Sequence, residues 1–272
     1  MISDITIGQF FPGMSPIHRL DPRVKLVMTL FVIVLLFVAD NFIALGLWAA
    51  FIVFCMLLSK VPVRLYRKSL KPVLIIVLFT AVLNIFYGTG DPLFSFWIFK
   101  ITRNGLLNSV FISSRIILLI LCSSILTFTT SPNKLTEAIE RLLNPLTILK
   151  VPVHEFAMMM TIALRFIPTL LEETDKIMSA QKARGADLES GGLMQRIRAL
   201  IPVLVPLFIS AFRRAFDLAT AMESRCYNGG KGRTKMEVSK IRSLDAATMG
   251  IFALALAAFF TVNIIFPPTI VL

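Results

Sequence analysis

The chain has 272 residues, of which 56% are hydrophobic and 16% charged, and its mean hydropathy is +0.80. That is too apolar for a water-soluble domain of this length, and 23 phenylalanines exclude a disordered chain. A formal charge of +12 would suggest nucleic acid in a soluble protein; in a membrane protein it marks loops held on the cytoplasmic side, and no nucleic-acid partner is expected.

Met1 to Leu20 mixes polar and apolar residues, without the basic flank, apolar core and small-residue cleavage site of a signal peptide. The first apolar run is therefore expected to remain as a membrane helix. Measured by charge-free length against a hydrocarbon core of ~30 Å, five segments qualify as spans. Leu26 to Ala39 and Phe42 to Ser59 form a hairpin around Asp40-Asn41. Pro72 to Tyr87 is the third, Leu106 to Thr130 the fourth, and Ala246 to Phe266 the fifth. The first and third are short and need flanking Lys and Arg to snorkel.

Basic residues set the orientation. Arg19, Arg23 and Lys25 precede the first span, and Lys60, Arg64, Arg67, Lys68 and Lys71 fill the segment after the second, so both are expected inside. Asp40-Asn41 carries no base and Gly88 to Asn104 only Lys100 and Arg103, so both face out. Ser131 to Leu244 holds more than half of the 28 basic residues and returns to the inside. The C-terminus is expected outside.

That inner stretch does not read as an ordinary soluble domain. Glu155 to Lys182 repeats apolar residues at helical spacing, with Arg165, Glu172, Lys176 and Ser179 on the other side. Leu200 to Met222 does the same, opposing Ser210, Arg213, Arg214 and Asp217. Its charge-free part, Ala199 to Phe212, has the length of an interfacial or buried helix. Asn133 to Leu143 is a shorter amphipathic helix stopped before Pro145. Pro168, Pro202 and Pro206 should kink the long helices, since each removes a backbone donor. The expected fold is all-α and polytopic, organised as 1–130, membrane helices; 131–244, long amphipathic helices along or just under the inner leaflet; and 245–272, a last membrane helix.

Catalytic and metal constellations fail by inspection. Cys55, Cys122 and Cys226 lie far apart, and the only histidines are His18 and His154, so neither CxxC nor HExxH is present. Asn228 to Thr234 resembles a phosphate loop only loosely. Arg225 stands where its first Gly belongs and Gly232 where its Ser or Thr belongs, leaving a basic turn after a helix end. Glu172, Glu173 and Asp175 read as a solvated polar face rather than a cation site. Arg115, inside the fourth span, has two readings: an intramembrane functional residue, or a cation that snorkels from the outer third of its helix.

Two heptapeptides share a register, Ala180 to Ala186 and Ala221 to Tyr227, each closing a long amphipathic helix. Arg184 lies seven residues after Ile177, and Arg225 seven after Leu218, so each arginine prolongs the apolar stripe. A cation at a helix C-terminus meets the negative end of the dipole. An arginine on the tip of an apolar ridge also suits docking into a groove whose floor offers a carboxylate, and the periodicity favours that role.

With these motifs goes the N-terminal Ser15-Pro16-Ile17-His18-Arg19-Leu20-Asp21-Pro22-Arg23-Val24-Lys25, and also Arg165-Phe166-Ile167-Pro168-Thr169-Leu170 followed by Glu172 and Glu173. Over nearly its whole length the chain resembles the transmembrane component of energy-coupling factor transporters, importers of vitamins and trace metals of the ATP-binding-cassette class. The resemblance implies a multi-pass cell-membrane scaffold that is not itself an enzyme. Its expected partners are two cytosolic ATPase subunits, a separate membrane substrate-binding subunit and the bilayer. No cofactor is expected on this chain, ATP and magnesium belonging to the ATPases. It also implies that Ala183-Arg184-Gly185 and Ser224-Arg225-Cys226 end the coupling helices and dock the ATPases. The second tripeptide departs from the usual Ala-Arg-Gly at both flanks, which puts its cap geometry in question because Cys tolerates a left-handed backbone less well than Gly. The competing reading is a membrane-embedded enzyme or a self-contained channel. Adjacent ATPase genes would discriminate against it.

Overall fold

The computed structural model describes residues 10–86, 92–96, 99–186, 192–229 and 242–266. The chain divides into two units, one of Gln9–Ala138 with Val238–Leu272 and one built on Ile139–Glu237.

The first unit is a helical bundle whose helices start where the sequence supplies caps. Ser15 precedes α1, Pro16–Arg19, and its hydroxyl accepts from the His18 amide. Asp21 does the same for α2, Pro22–Val38, through the Arg23 amide, and in both helices Pro occupies a first position that needs no donor. Asn41 caps α3, Phe42–Ser59, at the Ala44 amide, 2.8 Å. A turn at Lys60, in the left-handed region with φ +54, leads into α4, Val63–Phe86. Thr102 caps α5, Arg103–Thr129, and Arg242 precedes α9, Ser243–Ile265.

Cross-helix contacts fix the levels of these helices. At one end the Lys25 ammonium donates to the Thr129 carbonyl, 2.9 Å, and the Asp21 amide donates to Asp245 of α9, 2.8 Å. At the other, Arg115 of α5 reaches the Ala39 carbonyl, and Asn41 donates to Asn263 and to the Phe266 carbonyl, both 3.4 Å. α2, α3 and α9 therefore end together at the Asp40-Asn41 turn. α5 continues past Arg115 toward its N-terminus for roughly 18 Å at ~1.5 Å per residue. It is joined there by α4, with Ser109 donating to the Ala81 carbonyl at 2.9 Å. A Cβ on Gly105 would stand 2.9 Å from the Asn84 and Ile85 carbonyls, so that close crossing requires glycine.

The core lies between α2, α3, α5 and α9, where Trp48, Leu36, Phe111 and Phe259 are fully enclosed. Trp48 meets Phe259 at 5.9 Å and Phe42 meets Phe111 edge to face at 5.1 Å. Large apolar side chains also cover the outside, Leu57, Ile75 and Ile264 among them at over 70% exposure. A water-soluble surface does not carry apolar residues in such density; a surface solvated by lipid does.

Among the described residues, five helices are long and apolar enough to cross a membrane: α3, α4, α5, α8 over Met194–Ser224, and α9. By length and composition alone this set takes in α8, expected along the inner leaflet, and leaves out α2. α2 has only 17 residues, ~26 Å, whereas Ala199 to Phe212, expected as the interfacial or buried part of a long amphipathic helix, is part of α8, Leu193–Ser224. Charges at Arg198 and Arg213 bounded the apolar run in sequence but do not stop a helix, since arginine is a good helix former. For the same reason α4 starts nine residues before Pro72 and draws Arg64, Arg67, Lys68 and Lys71 into its first turns, where a loop was expected. Tyr87 lies outside the described residues.

The stretch expected as a plain outer loop contains an antiparallel hairpin, β1 Pro92–Phe96 with β2 Phe99–Thr102, registered Phe94 to Ile101 and Phe96 to Phe99. Its aromatic and β-branched content favours strand, but runs this short give little periodic signal.

The second unit follows α6, Pro132–Leu143, which spans the boundary between the two. A 3₁₀ segment, Asn144–Leu149, ends at Lys150 with φ +61, and α7 runs Val153–Ala183. His154 meets Glu140 at 3.0 Å across this corner. α7 and α8 pack antiparallel: Glu173 accepts from Ser210 and, at 2.8 Å, from Arg214, while Gln181 donates to the Pro202 carbonyl. Pro168 lies inside α7, and Pro202 and Pro206 inside α8, as expected.

Candidate functional site

Both long helices end in the same backbone motif. In α7, Arg184 is the C-cap, Gly185 turns left-handed at φ +85, and the amides of Gly185 and Ala186 donate to the carbonyls of Lys182 and Gln181 at 3.0 Å each. In α8, Arg225 is the C-cap, Cys226 takes the left-handed position at φ +57, and the amides of Cys226 and Tyr227 return to Glu223 and Met222 at 2.8 and 3.0 Å. These paired returns satisfy carbonyls that a helix end otherwise leaves open. Cys226 thus adopts the geometry that its residue type disfavours.

Each motif stops its helix directly after an arginine and turns the chain away from it. Both arginines are exposed, as are Ala183, Gly185, Ser224 and Cys226. Neither guanidinium has a hydrogen-bond or ion-pair partner among the described residues. Arg165, on the body of α7, is also exposed.

The antiparallel pairing sends the two tips in opposite directions. From the Glu173 contact with Ser210 and Arg214, Arg184 lies ~16 Å along α7, and Arg225 ~20 Å along α8 the other way. The two cations therefore stand at opposite ends of one helix pair.

Glu173 holds that pair together. Its carboxyl lies below the usual carboxylate range, first through the Ser210 hydroxyl and then through the Arg214 guanidinium. Sequence periodicity placed Glu173 within a solvated acidic face, while Ser210 and Arg214 stood on the polar side of the next helix. In the structure Arg165, Lys176 and Ser179 of α7 and Arg213 and Asp217 of α8 stay exposed, while Glu173, Ser210 and Arg214 are half-buried along with Leu170, Ile177, Leu207 and Leu218. Apolar side chains are left outward, Phe208 at 67% and Phe216 at 72% exposure on α8, and Met159 at 57% on α7. Glu172 remains exposed, as expected for a solvated residue.

Arg115 sits elsewhere, in the bundle. Its guanidinium lies over the Phe111 ring, 4.8 Å from the centroid, and donates through Nη2 to the carbonyl of Ala39, the C-cap of α2. A cation there serves the open carbonyls and negative pole of a helix end.

A second polar cluster was missed in sequence. Asp245, 1% exposed, accepts from the amides of Asp21 and, at 2.7 Å, Arg242. Lys25, also buried, donates to Thr129 on the same end of the bundle. Asp21 caps α2 locally, but the Asp245 carboxylate that accepts from its amide lies 224 residues away, and no local pattern connects them.

Known proteins show the family to which the sequence belongs. Residues 13–236 match the family described as cobalt transport protein. An energy-coupling factor transporter transmembrane protein, EcfT, of Clostridium kluyveri is 55% identical over 90% of this chain and 92% of its own length. Proteins of the same name from Acidaminococcus fermentans and Bacillus subtilis are 51% and 49% identical, over 94% and 86% of this chain and 95% and 89% of theirs. The chain belongs to this family, the transmembrane components of energy-coupling factor transporters, and is a multi-pass protein of the bacterial cell membrane.

Proposed function

We propose that this member of the transmembrane-component family is the lever of its transporter. Two cytosolic ATPase subunits each hold one helix tip, Ala183-Arg184-Gly185 in one socket and Ser224-Arg225-Cys226 in the other. ATP-driven closure of that pair displaces the tips, and α7 and α8 carry the displacement to a separate membrane subunit that binds a vitamin or micronutrient. The chain itself performs no catalysis; nucleotide and magnesium belong to the ATPases.

The observation that carries this reading is the pair of matching caps, each presenting an arginine without a partner among the described residues at an opposite end of one antiparallel helix pair. A planar guanidinium makes two charge-assisted bonds to a carboxylate, so an acidic floor in each socket would seat it firmly. The closure stroke must reach the membrane without being absorbed, and the Glu173 bridge gives the pair the stiffness this requires. The outward apolar surface, with Met159 and Met160, suits a sliding contact that accepts more than one substrate-binding partner, because methionine repacks readily.

Arg184→Glu combined with Arg225→Glu tests the docking. The double variant should insert normally and lose co-purification of both ATPase subunits, since each socket then meets a like charge. An intact complex with the double variant would reject the reading.

A further inference from the structure

The first turns of α4 carry an unbalanced charge. Arg64, Arg67, Lys68 and Lys71 recur at helical spacing on one face and, with Leu70 and Leu74, line a shallow groove. The opposite face is packed: Tyr66, 1% exposed, meets the Phe128 ring at 5.3 Å, which turns the four cations outward. None of them has a hydrogen-bond or ion-pair partner among the described residues. They repel one another at i, i+3, i+4 and i+7, and they crowd the positive pole of their own helix. Such an arrangement calls for an anion.

The same face says which anion. Beyond Lys71 the stripe becomes apolar through Leu74, Ile75 and Leu78, which are 62%, 74% and 64% exposed, and reaches Val82. Lys71 to Val82 spans ~16 Å, about the depth of one leaflet of a ~30 Å core. A protein acid would match the cations and leave the apolar strip uncovered. A phospholipid covers both.

We propose that this face of α4 is a binding site for an anionic phospholipid, its phosphate seated among Arg64, Arg67, Lys68 and Lys71 and its acyl chains lying along Leu74, Ile75 and Leu78. The site requires only that α4 crosses the membrane, and it is independent of the helix-tip docking. Juxtamembrane cations attract anionic lipid at about a fivefold gain in affinity per Lys or Arg.

The test is native mass spectrometry of the full-length chain titrated with phosphatidylglycerol and with phosphatidylcholine of identical acyl chains. The unaltered chain should prefer phosphatidylglycerol at least tenfold, and changing all four cations to Gln should bring the ratio near one. Because four neutralisations at a span end can impair insertion, two pair variants are measured alongside. Arg64→Gln with Lys68→Gln, and Arg67→Gln with Lys71→Gln, keep two cations plus Lys60 and should each reduce the preference at least fivefold. Equal binding of both lipids by the unaltered chain, or an undiminished preference in the pair variants, would overturn the proposal. So would loss of a co-purifying subunit with lipid preference unchanged, which would make the ridge a protein contact.

Discussion

Gly185 and Cys226 occupy equivalent backbone positions, one residue past the arginine that ends each long helix, at φ +85 and φ +57. Glycine reaches that region freely, whereas a residue with a Cβ loses roughly 1–2 kcal/mol there. That the second cap forms regardless shows that the two backbone returns to Met222 and Glu223 outweigh the strain.

Cys226→Gly should therefore stabilise the α8 tip by about 0.5–1 kcal/mol, the strain relieved less the extra chain entropy of glycine. Gly185→Ala should weaken the α7 tip by about 1 kcal/mol for the opposite reason, with no steric contribution, since nothing stands within 4 Å of the added Cβ. Amide hydrogen exchange across 181–186 and 222–227 reads both changes. Faster exchange in the Cys226→Gly tip would contradict the strain argument.

Arg115 is a capping residue on this geometry. Arg115→Gln should lower the unfolding free energy in detergent by about 1.5–3 kcal/mol, the range for a hydrogen bond to a charged group. Arg115→Lys should recover only part, because one ammonium cannot both reach Ala39 and lie flat over Phe111. Binding of the ATPase subunits should be unaffected. If Arg115→Gln kept full stability yet abolished uptake, Arg115 would belong to a functional pathway.

What the chain discloses and what it hides follow from distance in sequence. The helical character of the spans and both arginine tips are local patterns, and each is legible within a few residues. Periodicity also put Arg165, Glu172, Lys176 and Ser179 of α7 on one side, and all four are exposed. It could not supply the cross-helix partner of Glu173, because the contact with Ser210 and Arg214 is a pairing across 37 and 41 residues. Asp245 is invisible for the same reason. The extension of α4 through Pro72 was missed because a proline read as a start also fits inside a helix, where it leaves one carbonyl without its donor.

The Glu173 bridge gives a pH signature. Its folded value is lowered, so the stabilisation it supplies is complete above the ordinary glutamate value of about 4.3 and is lost as pH falls through the lower folded value. Glu173→Gln should remove that acid-side dependence while keeping a hydrogen-bond acceptor for Ser210. Exchange protection of α7 and α8, followed from pH 6 down to about 3, should fall in the native protein and be flat and already reduced in the variant. A native profile that rises toward acid would invert the sign and dismiss the bridge as a stabilising contact.

The arrangement across the membrane is open to direct chemistry. By the bias of basic residues toward the cytoplasm, Lys60, Arg64, Arg67, Lys68 and Lys71 are expected to hold the α3–α4 turn on the inner side. Val63, 63% exposed at the start of α4, is a better reporter than Ser69, whose hydroxyl is engaged with the Leu65 carbonyl. Cys226 is exposed at a tip expected on the same side and would label as well, so the measurement uses Val63→Cys in a Cys226→Gly background. Cys122 is buried and Cys55 partly so, which keeps their contribution small. A membrane-impermeant maleimide should leave intact cells unlabelled and react once the membrane is opened. Labelling of intact cells would place the α3–α4 turn outside, and with it the basic ridge of α4, on the face where no ATPase can reach the chain.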